Sequence, residues 1–127
     1  MKKIISTPNA PKAIGPYSQA ILVDGTLYSS GQIAINPKNG TLETEDISSE
    51  TERVMQNLQA ILKAAQMNFD NVVKCSIFLK AMSQYAEVNE VYAAYFGENP
   101  PARETIEVSA LPKDVNVEIS LIAKKYS

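Results

Sequence analysis

Arg103 follows Pro100-Pro101-Ala102 at the head of a predicted strand, where alternation places it on one face with Thr105 and Glu107. A planar guanidinium in that position suits a carboxylate or a phosphate, and it equally suits a solvated strand arginine paired with a nearby acid. Glu118 is the nearest candidate for that acid. If the chain folds back around Leu111 or Pro112 as a long-looped hairpin, Glu118 falls nearly opposite Thr105. Arg103 and Glu118 then become diagonal neighbours on one face, a relation that a one-residue slip would break. Such a pair reads as a cross-strand ion pair, worth about 0–1 kcal/mol at a surface. It reads equally as a small-acid site in which the arginine grips a carboxylate and the glutamate handles water.

Nearer the N-terminus, Gly15-Pro16-Tyr17-Ser18 sets a tyrosine on a constrained turn, and Ser29-Ser30-Gly31-Gln32 sets hydroxyls and a glycine at the close of a strand. Both are also ordinary turn chemistry, and a tyrosine after Gly-Pro more often packs than reacts. Cys75 lies in an apolar run and reads as an inert core thiol. Tyr85, Tyr92 and Tyr95 recur at helical spacing with few basic residues between them, which fits a helix face better than a base-stacking platform. Glu43, Glu45 and Asp46 lack the regular ligand spacing of a cation loop and read as solvated, so no metal is expected.

Whole classes of chemistry are excluded by what is missing. The chain has no histidine, which removes the commonest general base and metal ligand and with them the Ser-His and Cys-His triads. A single cysteine leaves no internal disulfide, no CxxC pair and no thiolate zinc site, as befits a reducing compartment. Twelve Lys and Arg against fourteen Asp and Glu give a net charge of -2, so no basic field draws in nucleic acid. The apolar stretch after Met1-Lys2-Lys3 is only Ile4-Ile5, too short for a secretory leader, and no other run approaches a membrane span. The expectation is a cytoplasmic protein with no membrane partner.

The 127 residues, 45% of them hydrophobic, suffice for one domain spanning 1–127 with a single core. The proline-rich lead-in through Pro16 reads as extended chain or an edge strand. Ser18–Val23 and Thr26–Ser30 flank Asp24-Gly25, a hairpin signal, and Gln32–Ile35 makes a third short run before a turn-rich loop. Ser49 and Glu52 form a capping-box pattern ahead of Val54, Met55, Leu58, Ile61, Leu62 and Ala65 at helical spacing. Val72–Leu79 reads as a buried central strand. Tyr85, Val88, Val91, Tyr92, Tyr95 and Phe96 give a second helical stripe ended by Gly97. Ala102–Val108 and Val115–Ala123 complete the predicted strands. The pattern is α+β, a mixed sheet with two helices on one face. Its other face, if apolar, calls for self-association.

Several blocks occur together and in order: Ala10-Pro11, Ala13-Ile14-Gly15-Pro16-Tyr17-Ser18-Gln19, Ser30-Gly31-Gln32-Ile33, Pro101-Ala102-Arg103, Leu111-Pro112-Lys113-Asp114-Val115 and Val117-Glu118-Ile119. With them the chain resembles the RidA (YjgF) family from end to end. The resemblance implies a chorismate-mutase-like fold, assembled as a homotrimer with a barrel-like centre, helices outside and active sites between subunits. It implies a deaminase, without cofactor, that hydrolyses enamines and imines such as 2-aminoacrylate and 2-iminobutyrate, products of pyridoxal-phosphate dehydratases, to 2-keto acids and ammonia. By the same resemblance Arg103 binds the substrate carboxylate, Glu118 orients water, and Tyr17, Ser30 and Gly31 line the cleft, with Asn89 a further cleft candidate. Many relatives carry cysteine where this chain has Thr105. The role there is largely a backbone contact to the substrate nitrogen, so activity is expected to survive. The alternative is a non-catalytic regulatory protein of the same family that binds a small acid. Ribonuclease activity, reported for relatives, sits poorly with the acidic charge.

Overall fold

A computed structural model describes residues 1–126. Eight elements follow one another: β1 (Lys3–Ile5), β2 (Ala20–Val23), β3 (Thr26–Ser29), α1 (Ile47–Ala64), β4 (Val72–Leu79), α2 (Tyr85–Ala93), β5 (Ala102–Glu107) and β6 (Val117–Lys124). The strands make one six-stranded mixed sheet in the order β1-β2-β3-β6-β4-β5. All neighbours are antiparallel except β4 and β5, which run parallel. This is the expected α+β class, with both helices on one face.

The β2–β3 turn uses Asp24 at φ 50° and Gly25 at φ 76°, the two left-handed residues that a tight hairpin matched to strand twist demands. In β6, Val117, Ile119, Leu121 and Ala123 are buried, and in β4 Cys75, Ile77 and Leu79 are buried on the same face. The α1 stripe Val54, Met55, Leu58, Ile61 and Leu62 closes over them at zero exposure. The other face has no helix over it. Ile4, Tyr28 and Ile106 stand 61%, 47% and 46% exposed there, with half-buried Phe78 and Ile122 between them. Among the described residues no helix is long and apolar enough to cross a membrane.

Four expectations about local structure are corrected. First, β5 and β6 do not form a hairpin. A parallel pair needs a crossover, here α2 from β4 to β5, and the return loop 108–116 then passes the end of β4 to set β6 on its other side. Val108 N–H donates to Leu79 O (2.9 Å) and Lys80 N–H to Asn116 O (3.0 Å), pinning that loop across the end of β4. Second, α1 is capped by Asp46, whose carboxylate accepts from Ser49 N–H at 2.8 Å, so Ser49 lies inside the first turn and receives the cap. Third, α2 stops at Ala93, ahead of Gly97, because Tyr95 and Phe96 continue the apolar stripe in a turn that packs on Phe69. Fourth, Gln32–Ile35 is no strand; only isolated bridges form, Gln32 with Ile119 and Ile35 with Leu42.

Candidate functional site

The residues singled out in the sequence gather in two groups. Arg103 enters from edge strand β5 on the helix-covered face, paired in register with Cys75. Because β5 is an edge, its side chain reaches α2. Nη1 donates to Asn89 Oδ1 (2.7 Å) and Nη2 to the Tyr85 hydroxyl (2.6 Å). The guanidinium carbon lies 4.9 Å from the Tyr92 ring centroid and 5.5 Å from that of Tyr85. Positions 85, 89 and 92 fall on one helix face, so a single stripe of α2 supplies two acceptors and two π faces. All these partners are neutral. Among the described residues no carboxylate lies within 4.0 Å of Arg103, so the positive charge is aimed, rigid and unpaired. It borders a cleft of about 450 Å³ together with Asn89, Tyr92, Phe96 and Pro101.

Thr105 shares the face of Arg103, and its hydroxyl is buried without a hydrogen-bond partner. Cys75 lies beneath. Burial pushes its thiol up, and the neighbouring Tyr92 hydroxyl and the Arg103 charge offset this only in part. Burial likewise raises the Tyr92 hydroxyl.

The second group surrounds Glu118. This residue pairs with Phe78 in β4, which puts its side chain on the uncovered face. Burial raises its carboxyl above the ordinary glutamate value of 4.5, and no nearby cation offsets the shift. Gly31 is packed against it. A Cβ at that position would stand 2.7 Å from Glu118 Cδ and 3.0 Å from Cγ, so only glycine leaves the carboxylate where it is. The bridge next door, Gln32 N–H to Ile119 O at 2.8 Å, fixes that approach.

Glu50, fully buried in α1, sets the start of β6. Its carboxylate accepts from the Asn116 and Val117 N–H groups (2.7 and 3.1 Å) and from Asn116 Nδ2 (2.8 Å). From the same helix, Asn57 Nδ2 donates to Ile33 O and Ile35 O (3.1 and 3.0 Å), holding the next wall.

Tyr17 arrives on the lead-in strap. Gly15 at φ +118° makes the turn, Tyr17 N–H donates to Gly15 O (2.9 Å), and the hydroxyl accepts from Ile14 N–H (3.4 Å) with the side chain 53% exposed. Ser30 Oγ donates to Ser18 O (2.5 Å), tying the strap to the end of β3. Buried Gln19 staples the rest of it, accepting from Thr7 N–H and donating to the Ala10 and Pro11 carbonyls (2.7, 3.2 and 2.8 Å). Tyr17, Ser30, Gly31, Ile33 and Glu118 thereby line one open cleft of about 610 Å³.

The expected contact between Arg103 and Glu118 is absent. Arg103 pairs with Cys75 and Glu118 with Phe78, three positions apart along β4, so the two side chains leave opposite faces of the sheet. The reading as a cross-strand ion pair within one chain is corrected accordingly, as is the placement of Glu118 opposite Thr105; Thr105 lies across from Ile77 and Ile119 in that row. Sequence reasoning also missed Tyr85 and Tyr92 as partners of Arg103. Their i, i+7 spacing was visible, but burial and function share that signal.

A mixed sheet with two helices on one face, a cleft beside Arg103 on that face and a second cleft around Glu118 and Gly31 on the other defines an α+β domain with two open clefts. Known proteins agree. The Endoribonuclease L-PSP family profile matches residues 7–125. A RutC family protein of Pyrococcus horikoshii is 52% identical over 98% of this chain and 99% of its own. The human 2-iminobutanoate/2-iminopropanoate deaminase is 46% identical over 97% of this chain and 90% of its own. The crystal structure of YyfA, a Rid family protein of Yersinia pestis, superposes with a TM-score of 0.96 at 50% identity, covering 98% of this chain and 100% of that one. The chain belongs to the Endoribonuclease L-PSP family, the family of RidA and YjgF.

Proposed function

We propose that the protein is a cofactor-independent 2-iminobutanoate/2-iminopropanoate deaminase, working at a site that two copies build together within a homotrimer. The observation that carries this reading is the separation of charges. Arg103 has only neutral partners on one face, and Glu118 on the other is in no ion pair among the described residues. The apolar uncovered face supports the assembly, since self-association removes such a surface from water. So does the name borne by the human relative.

At such a seam Arg103 of one copy takes the substrate carboxylate in a charge-assisted fork, worth about 1.5–3 kcal/mol, and fixes the direction of the imine carbon. Tyr85 and Asn89 hold the guanidinium in place. From the next copy, Glu118 accepts a proton from water as its oxygen adds to the electrophilic C=N carbon, giving a neutral carbinolamine. The same carboxyl then returns that proton to the nitrogen. The C–N bond breaks, the carbinolamine hydroxyl gives its proton to the Glu118 carboxylate as C=O forms, and ammonia and a 2-keto acid leave, the ammonia taking up that proton as ammonium and restoring the carboxylate. Tyr17 and Ser30 offer hydroxyls beside the nitrogen or the water, and Thr105 its backbone. An iminium carbon is already electrophilic, so positioning and one proton acceptor suffice, and the absence of histidine is no obstacle.

The test is 2-keto acid release from 2-iminobutanoate generated in place by a threonine dehydratase. Acceleration over buffer is expected, and Arg103→Ala is expected to lower it by at least about 10²-fold with the assembly intact. Binding of 2-keto acids with no acceleration would replace this reading with that of a regulatory small-acid binder.

A further inference from the structure

We propose that Lys113 makes the Glu118 cleft a receptor for a second negative charge, so that the favoured ligands are 2-imino and 2-oxo acids with a carboxylate on the side chain. This inference rests on the small-acid site described above and deepens it.

The backbone draws attention to this lysine. Lys113 (φ 54°, ψ 22°) and Asp114 (φ 57°) are consecutive non-glycine residues in the left-handed region, which side-chain-bearing L-residues rarely occupy. Strain of this kind persists where the surroundings impose it, and it clusters at ligand sites. Here the surroundings are explicit. Asp114 is ion-paired to Lys80, its N–H donates to Leu111 O (3.0 Å), and Glu50 clamps Asn116 just beyond. These contacts, with Val115 N–H donating to Pro112 O (3.3 Å), hold the turn that carries both residues. Its side chain is exposed and lines the same cleft as Glu118 and Tyr17. Among the described residues no carboxylate lies within 4.0 Å of it.

Lys12 joins it. The strap that Gln19 staples carries Lys12 to the wall of the same cleft, also without an ion pair among the described residues. Two lysines therefore line a cleft whose only acidic lining residue is Glu118. Neither lysine is ion-paired with that acid. A three- or four-carbon monoacid carries one carboxylate, which Arg103 takes, and it leaves Lys12 and Lys113 without an anionic partner. A side-chain carboxylate supplies that partner, while the α-carboxylate remains with Arg103.

Calorimetric binding of 2-oxobutanoate and 2-oxoglutarate to the intact protein tests this without relying on turnover. The diacid is expected to bind on the order of tenfold more tightly at low salt, the advantage shrinking as salt is added. In Lys113→Met the ratio of the two affinities is expected to fall toward one, and in Lys113→Arg to be retained. A wild-type protein that binds the monoacid as well as the diacid, or a Lys113→Met protein that keeps the full preference, overturns the proposal. Hydrolysis of 2-iminobutanoate, followed in the same preparations, reports separately on the deaminase reading. Its failure alongside a Lys113-dependent diacid preference would remove the chemistry and leave the binding site standing.

Discussion

Arg103 and Glu118 stand on opposite faces of one sheet, tied through β4 to Cys75 and Phe78 respectively. An odd separation along a strand inverts the side-chain direction, so no rotamer change within the chain unites them. Each is nevertheless built with care. Tyr85 and Asn89 hold the first, while Gly31 leaves room for the second. Under the proposed function these two halves, which cannot meet in one copy, meet at a seam between symmetry-related copies.

Gly31→Ala tests the Glu118 half. The added methyl would sit 2.7 Å from Glu118 Cδ, and the carboxylate, at the end of a flexible side chain, must swing away. Turnover is expected to fall by about 10²-fold, as for a catalytic group displaced by an ångström or so, while the melting temperature changes little. Unchanged kcat in the variant would show that the glycine is incidental.

The pH dependence has a definite sign. Proton acceptance from water requires the Glu118 carboxylate, and burial raises its carboxyl above 4.5. Activity should therefore decline on the acid side with a midpoint above the ordinary glutamate range, and Glu118→Gln should abolish both the activity and that limb. The stability effect runs the other way. A folded value above the unfolded one means that the folded chain holds the proton more tightly, so this contribution is complete below about 4.5 and lost as pH rises through the folded value. Comparing denaturation midpoints of the native protein and Glu118→Gln at pH 4 and pH 7 checks it.

Cys75 is buried at 1% exposure and its thiol is held in the protonated form by that burial. Thiol reagents should leave the native protein unlabelled at neutral pH over hours and modify one thiol per chain once denaturant is added. Rapid labelling of the folded protein would contradict this packing around Arg103.

Local patterns carried much of this fold. Asp24-Gly25 announced its hairpin, and the alternation Val117, Ile119, Leu121, Ala123 named the buried face of β6. Alternation says which way a side chain points and is silent about which strand lies alongside, so the neighbours of β5 were misread and the Arg103–Glu118 contact with them. Spacing also failed at Ser49 and Glu52. Asp46 supplied the cap, and Glu52 instead meets the Tyr95 hydroxyl, a contact across 43 residues that no local motif reveals. The roles of Gln19 and Glu50 were hidden for the same reason: each works on backbone that is distant in sequence or in another element.

The most direct test is subunit complementation. Arg103→Ala and Glu118→Gln, each inactive alone, are mixed in equal amounts, unfolded and reassembled. If every site takes Arg103 from one copy and Glu118 from the next, a seam receives both intact halves one time in about four on average, and about a quarter of wild-type activity should return. Activity that stays at the level of the separate variants in well-formed mixed trimers would contradict a shared site.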